Sequence, residues 1–273
     1  MANTPLSCLV VLDGFGTNPE TNGNAILSTP TPNLDYLWNN YPHTLLKAAE
    51  EEVGLNFGEM GNSEVGHLII GAGRVLYQSL PRINASLQDQ SFYQNATFTT
   101  AINHVQSHDS ALHIMGMVSV AGVHAHLNHF LALLNLASRN HLKKVYLHII
   151  LDGRDSGPKD APIFLAKINE AIKKYNTGSI ATIHGRAYAM DRNQNWERIQ
   201  LSYNALIGVS GPTNQDPLAC IQQNYSNGSD DENLLPTIIT NSNNQPLGPL
   251  SSNDAFIFTN YREARARQFI QLL

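Results

Sequence analysis

A small number of short segments hold the residue types that handle phosphate, carboxylate and metal ions. Asp13-Gly14-Phe15-Gly16 follows an apolar run, and its carboxylate suits either a metal ligand or the cap of the next turn. Gly61-Asn62-Ser63-Glu64-Val65-Gly66-His67 sets a serine just before another apolar run. Ser63 reads as a helix N-cap or as something sharper. A hydroxyl at a helix N-terminus lies where backbone N–H groups favour phosphate oxygens, and a metal there would make it a nucleophile. Arg154, Arg186 and Arg262 each stand a few residues beyond an apolar β-branched run. If those runs are neighbouring parallel strands, the guanidinium groups converge on an anion with carboxylate or phosphate oxygens; otherwise each pairs with a nearby acid. His124, His126 and His129 form H-x-H-x-x-H. Positions 126 and 129 share a helical face while 124 precedes it, which favours solvated or substrate-facing rings over a three-histidine metal site. Gly71-Ala72-Gly73 lacks the third glycine of a dinucleotide fingerprint and follows no predicted strand, arguing against nucleotide binding.

The elements that must position these groups alternate between strand-like and helix-period segments. Strands are predicted at 6–12, 112–118, 145–151, 179–183 and 255–259. Helices are predicted at 33–40, 92–107, 126–139, 161–175 and 196–207. The pattern is α/β, a largely parallel sheet covered by helices. In such sheets ligands sit beyond the carboxyl ends of the strands, where the histidine and arginine segments fall. Residues 209–253 dissolve into Asn, Ser, Gly and Pro around an acidic patch at 230–232, and read as a loop-rich connection with one short helix and one short strand. An apolar, uncapped end near Phe269 and Ile270 suggests that further chain normally follows.

Composition narrows the classes. Over 273 residues, 22 acidic groups against 17 basic ones give a formal charge of -5, which excludes a strongly basic nucleic-acid binder. Hydrophobic residues at 42% supply a sizeable core. No apolar run approaches the roughly 18 residues of a membrane span, so the reading is a cytoplasmic protein without a membrane partner. Charged residues make up only 14%, and 29 Asn fill much of the polar quota, a drift with no functional reading. Cys8 and Cys220 lack any CxxC spacing and read as buried thiols.

Taken together and in order, these segments resemble cofactor-independent phosphoglycerate mutase, of the alkaline-phosphatase superfamily. The resemblance rests on Val11-Leu12-Asp13-Gly14-Phe15-Gly16, the stretch Met60 to His67, Gly71-Ala72-Gly73-Arg74, Gly122-Val123-His124, Leu151-Asp152-Gly153-Arg154-Asp155, Gly185-Arg186 with Met190-Asp191-Arg192, and Asn260-Tyr261-Arg262 with Arg265. It implies interconversion of 3- and 2-phosphoglycerate in glycolysis through a phosphoserine. It also implies two divalent metal ions, manganese in most relatives, and no 2,3-bisphosphoglycerate. By motif, Ser63 is the implied nucleophile, and Asp13 and Ser63 are implied metal ligands. His124, Arg154, Asp155, Arg186, Arg192, Arg262 and Arg265 are implied to hold the substrate. Val120 and Ala264 stand where relatives usually carry aspartate, and His184 where they carry serine.

The family builds a phosphatase-like domain from both chain ends around an inserted phosphotransferase domain, and the full-length form is expected to be a monomer. Here residues 1–77 match the first part of the former and 78–273 most of the latter. The part bearing a catalytic lysine and the remaining metal ligands is absent, so the chain reads as an N-terminal fragment, inactive alone. Two alternatives stand beside the mutase: a non-catalytic anion-binding protein, and a metal-dependent phosphohydrolase of the same superfamily.

Overall fold

The computed structural model describes residues 7–273. The chain divides into two compact units between Pro81 and Arg82. In the first, α1 (Ala25–Ser28) and α2 (Pro32–Asn40) are followed by a 3-10 turn (Glu51–Val53) and α3 (Ser63–Ala72). Pro32 opens α2, where a missing N–H costs nothing. Its core is small: Val53, Leu55 and Val65, with Ile69 packed against them. Gly54 closes the 3-10 turn at φ 73°, and a Cβ there would lie 2.5 Å from the Leu76 carbonyl oxygen, so only glycine fits.

The strand predicted at 6–12 is not found; residue 6 lies outside the described residues, and 7–12 pair with no strand. The physical reason is visible in exposure. Leu9 and Val10 are 75% and 72% exposed, and a run apolar on both faces becomes a strand only with neighbours on both sides. Cys8 is likewise exposed, against the buried thiol expected; Cys220 is buried.

The second unit contains α4 (Ser79–Gln88) for most of its length, α5 (Ala96–His108), β1 (Leu112–Met117), α6 (Leu127–Arg139), β2 (Val145–Leu151), α7 (Ala161–Tyr175) and β3 (Ser179–Gly185). Then come α8 (Arg186–Ala189), α9 (Trp196–Leu206), β4 (Thr213–Asn214), α10 (Pro217–Ser226), β5 (Thr237–Ile239), β6 (Ala255–Phe258) and α11 (Glu263–Ile270). Among the described residues these strands form one sheet in the order β4-β5-β3-β2-β1-β6. β3, β2, β1 and β6 run parallel, and only the β3–β5 pairing is antiparallel. The α/β class and the parallel centre agree with the sequence pattern. The segment 209–253 holds two short strands and α10, where one strand was expected.

Both sheet faces are buried. Leu112, Ile114, Leu147, Ile149 and Ile183 pack on one side with Phe130, Leu134 and Ile168 of α6 and α7. Met115, Met117 and Ile150 pack on the other with Ile199, Leu206 and Phe269. That second face also carries a row of polar side chains crossing three strands. His113 bonds Asp254 at 3.2 Å and His148 at 2.8 Å; His148 bonds Thr182 at 2.8 Å, and Thr182 bonds His184 at 2.6 Å. With Asp254 ionised, each ring donates once toward Asp254 and carries one proton. His148 and His184 are wholly enclosed. Burial holds His184 down at about 3, and burial with the neighbouring rings holds His148 well below the usual histidine value.

Candidate functional site

Because β3, β2, β1 and β6 are parallel neighbours, the loops at their carboxyl ends lie along one edge of the sheet. After β2, Asp152 is buried and works as a hub. Its Oδ1 accepts from the Asp155 and Arg154 N–H groups at 3.1 and 3.3 Å and from Arg186 Nη1 at 2.5 Å, while Oδ2 accepts from the Ser119 hydroxyl at 2.7 Å. Burial works to raise its pKa, but the Ser119 hydroxyl, the Asp155 N–H and Arg186 outweigh it and hold the carboxyl below its ordinary value. Gly153 turns the chain at φ 69°, with Glu232 packed where a Cβ would be.

Arg186 follows β3 and is 4% exposed. Besides Asp152 it donates from Nη1 to Asp155 at 2.7 Å and from Nη2 to His124 Nε2 at 3.0 Å. His124 is therefore an acceptor at Nε2 and carries its proton on Nδ1, which is buried and has no partner. Burial, then the Arg186 charge, push His124 down to about 4. The Arg262 and Arg265 charges act in the same direction. Tyr261 fastens this segment to the His124 loop, its N–H donating to the His124 carbonyl at 2.9 Å and its hydroxyl to the Gly122 carbonyl.

Beside this cluster lies a cavity of about 200 Å³ lined by Arg154, Arg186, Arg192, Arg198, Arg265 and Glu232, among others. Arg265 donates to the Met190 carbonyl at 3.0 Å. Its pKa is lowered by burial and then by the charges of Arg192, Arg186 and Arg154. Arg192 and Arg262 have no ion-pair partner among the described residues. The sequence left two readings of the strand-end arginines, and each describes part of the result. Arg186 is paired with acids and Arg154 meets Glu232 at 3.5 Å, yet Arg154 and Arg186 share the cavity with Arg192 and Arg265. Arg262 lies outside the lining but acts on His124.

In the first unit, Ser63 opens α3. The cap is Asn62, whose side chain accepts from the Val65 N–H, so the reading of Ser63 as an N-cap is replaced. Its hydroxyl is free to donate to Asp13 Oδ2 at 2.7 Å, and His67 Nδ1, one turn on, lies 3.2 Å from it. His67 stands in the quoted motif, but its contact with Ser63 was not foreseen. Asp13 and Ser63 offer two oxygens, and hard divalent cations demand several. Among the described residues no group of three or more His, Cys, Asp or Glu is placed to hold a metal ion. A two-ion site does not fit the residues present.

The remaining histidines separate. His126 caps α6 by accepting from the Asn128 N–H at 3.1 Å, while His129 bonds Asn84 at 2.9 Å and is pushed to about 4 by burial and His126. Asp152, Glu232 and Arg198 were not singled out by type or spacing. Asp152 shared a motif with Arg154, while Arg198 and Glu232 needed the fold to reach the cavity.

Residues 83–273 match the family described as BPG-independent PGAM N-terminus (iPGM_N). In fold, the chain is similar to a solved structure of Leishmania mexicana phosphoglycerate mutase, determined at low cobalt concentration. The TM-score is 0.74 at 24% identity, over 89% of this chain and 46% of that one. The chain thus spans about half the length of that neighbour. No helix of the described residues is long and apolar enough to cross a membrane.

Proposed function

The chain belongs to the BPG-independent PGAM N-terminus family, and on that premise we propose that it carries the glycerate-holding part of a phosphoglycerate mutase. In this reading the residues from about 78 onward are a substrate-binding domain for 2- or 3-phosphoglycerate, and residues 1–77 are the first part of a phosphatase-like domain. The observation that carries it is the arginine cavity beside a buried Asp152–Arg186–His124–Asp155 cluster. Arg186 is locked before any ligand arrives, so little ordering is paid on binding. Arg154, Arg192 and Arg265 supply charge for the phosphate and carboxylate, and His124 holds the outer face of Arg186 in place.

Ser63 is the proposed phosphoryl acceptor. Its O–H already donates to Asp13, which orients the oxygen and offers a carboxylate to receive the proton. Retention of the glycerate while its phosphoryl group is away is what separates a mutase from a phosphatase, and a cationic cavity serves retention. The family's divalent-metal requirement is not met by Asp13 and Ser63 alone.

Calorimetric titration of the 273-residue chain with 3- and 2-phosphoglycerate tests the reading. Saturable binding, weakened by salt and lost in Arg186→Ala, is expected. No binding of either would refute it. Binding without any phosphorylation of Ser63 in a metal-supplied mixture would leave the non-catalytic anion-binding alternative, which the confinement of the arginine cavity to the second unit favours over a phosphohydrolase.

A further inference from the structure

The acidic run at 230–232 has a definite place in the fold. Asp231 is buried; its carboxylate accepts from the Tyr225 hydroxyl at 2.5 Å and the Ala161 N–H at 2.9 Å, and its own N–H donates to the Pro158 carbonyl. The next residue, Glu232, is fixed by its backbone at two strand ends. Its carbonyl accepts from the Ala187 N–H at 3.1 Å, and its N and O lie 2.5 and 2.4 Å from where Cβ atoms of Gly153 and Gly185 would be. Two glycines thus let the Glu232 backbone press against the turns that carry Arg154 and Arg186.

The side chain so placed lines the arginine cavity. The other lining carboxylate, Asp191, is largely engaged in its own turn: it accepts from the N–H groups of Asn193 and Asn195 and from the Asn195 amide. The Glu232 carboxylate makes no hydrogen bond among the described residues. It meets Arg154 at 3.5 Å, too far for a strong ion pair, with its side chain 24% exposed. An acceptor with uncommitted lone pairs works against a plain anion, because it repels the charge that the arginines attract. It works for a ligand that brings a donor of its own. Among small acids carrying phosphate and carboxylate, that donor is an alcoholic hydroxyl.

We propose that Glu232 is a specificity-determining residue of this cavity, which accepts the hydroxyl of a bound phosphorylated hydroxy acid and disfavours anions lacking one. The proposal rests on the phosphoglycerate reading of the cavity and adds to it the group that selects on the hydroxyl. Arg154 stays free to turn from Glu232 toward a ligand oxygen, since its side chain is 55% exposed and loosely held.

The test compares 3-phosphoglycerate with 3-phosphooxypropionate, which differs only in lacking the 2-hydroxyl, by calorimetry on the whole chain. The wild-type protein is expected to favour the hydroxylated ligand by about tenfold or more, the worth of one charge-assisted hydrogen bond. Glu232→Ala should bring that ratio close to one while tightening 3-phosphooxypropionate and inorganic phosphate by about twofold or more. Glu232→Gln, which keeps an acceptor oxygen and loses the charge, should tighten inorganic phosphate as Glu232→Ala does. An unchanged ratio in Glu232→Ala, unchanged phosphate affinity in Glu232→Gln, or a wild-type ratio near one, overturns the role of Glu232 and leaves the phosphoglycerate reading standing. Failure of the wild-type chain to bind 3-phosphoglycerate refutes that underlying reading, and this proposal with it.

Discussion

Acid should unfold the second unit with unusual steepness, because so many of its histidines are buried neutral. His124 and His129 are held at about 4, His184 at about 3 and His148 well below the ordinary value, each chiefly by burial. A histidine whose folded pKa is depressed contributes stability in full above its unfolded value of roughly 6.5, and that stability drains away as pH falls below it. At about pH 5 the unfolded chain binds nearly four protons at these positions and the folded chain almost none. Asp231 acts in the opposite sense. Burial raises it to about 6, so the folded form holds a proton there that the unfolded form releases. The net difference is about three protons, or about 4 kcal/mol of stability lost per pH unit between roughly pH 6 and 4.5. Over that window the loss is about 6 kcal/mol, enough to unfold a domain at the lower end of the usual total of about 5–15 kcal/mol. Urea unfolding followed by far-UV circular dichroism at half-unit pH steps gives the slope directly. His184→Asn should reduce it by about 1.4 kcal/mol per unit, one proton's worth. A wild-type slope below about 1.5 kcal/mol per unit, the value for a single group, would show that the rings titrate in the folded state and refute the reasoning.

Three substitutions probe the remaining claims. In a preparation competent for phosphoryl transfer, Ser63→Ala should abolish acid-stable phosphoprotein, followed by mass spectrometry of the peptide containing residue 63. Affinity for 3-phosphoglycerate should meanwhile stay within about fivefold, less than 1 kcal/mol; retained phosphorylation would remove Ser63 from the chemistry. Asp152→Ala strips the buried Arg186 of one carboxylate and Ser119 of its acceptor. A loss of about 3–5 kcal/mol in urea unfolding is expected, along with weakened anion binding. Gly153→Ala forces a Cβ to within 2.5 Å of the Glu232 backbone nitrogen at a φ of 69°. It should cost about 1–3 kcal/mol by the same measurement; a neutral outcome would mean that the segment around Glu232 is not held as described.

Much of the second unit was legible because its local signals and its tertiary context agree. The strand at 145–151 and the helix at 161–175 fall where their apolar periods place them, since each is buried along the whole of its core face. The run at 6–12 shows the opposite case. Its composition asks for a strand, but a strand is a pairing, and among the described residues no neighbouring strand pairs with it. Ser63 was placed correctly at a helix start yet misread in detail, because Asn62 and Ser63 are both good caps and sequence cannot say which side chain turns inward.

The arginines carry the more general lesson about a charged site. Spacing after strands identified Arg154, Arg186 and Arg262, but gave no means of separating a guanidinium that binds from one that is bound. Arg186 is both: nearly enclosed and fastened to Asp152 and Asp155, it is the fixed element around which exposed arginines are disposed. What distinguishes the roles is which lone pairs and N–H groups remain uncommitted once the internal bonds are counted. Asp152 has none to spare and Asp191 is largely engaged, whereas Arg192 and Glu232 have groups left over. A ligand meets only that remainder, and the remainder is set by contacts between residues far apart in sequence, such as Glu232 against Gly153 and Gly185. The chemistry of the site is therefore written in types and spacing, while its selectivity emerges only when the chain folds.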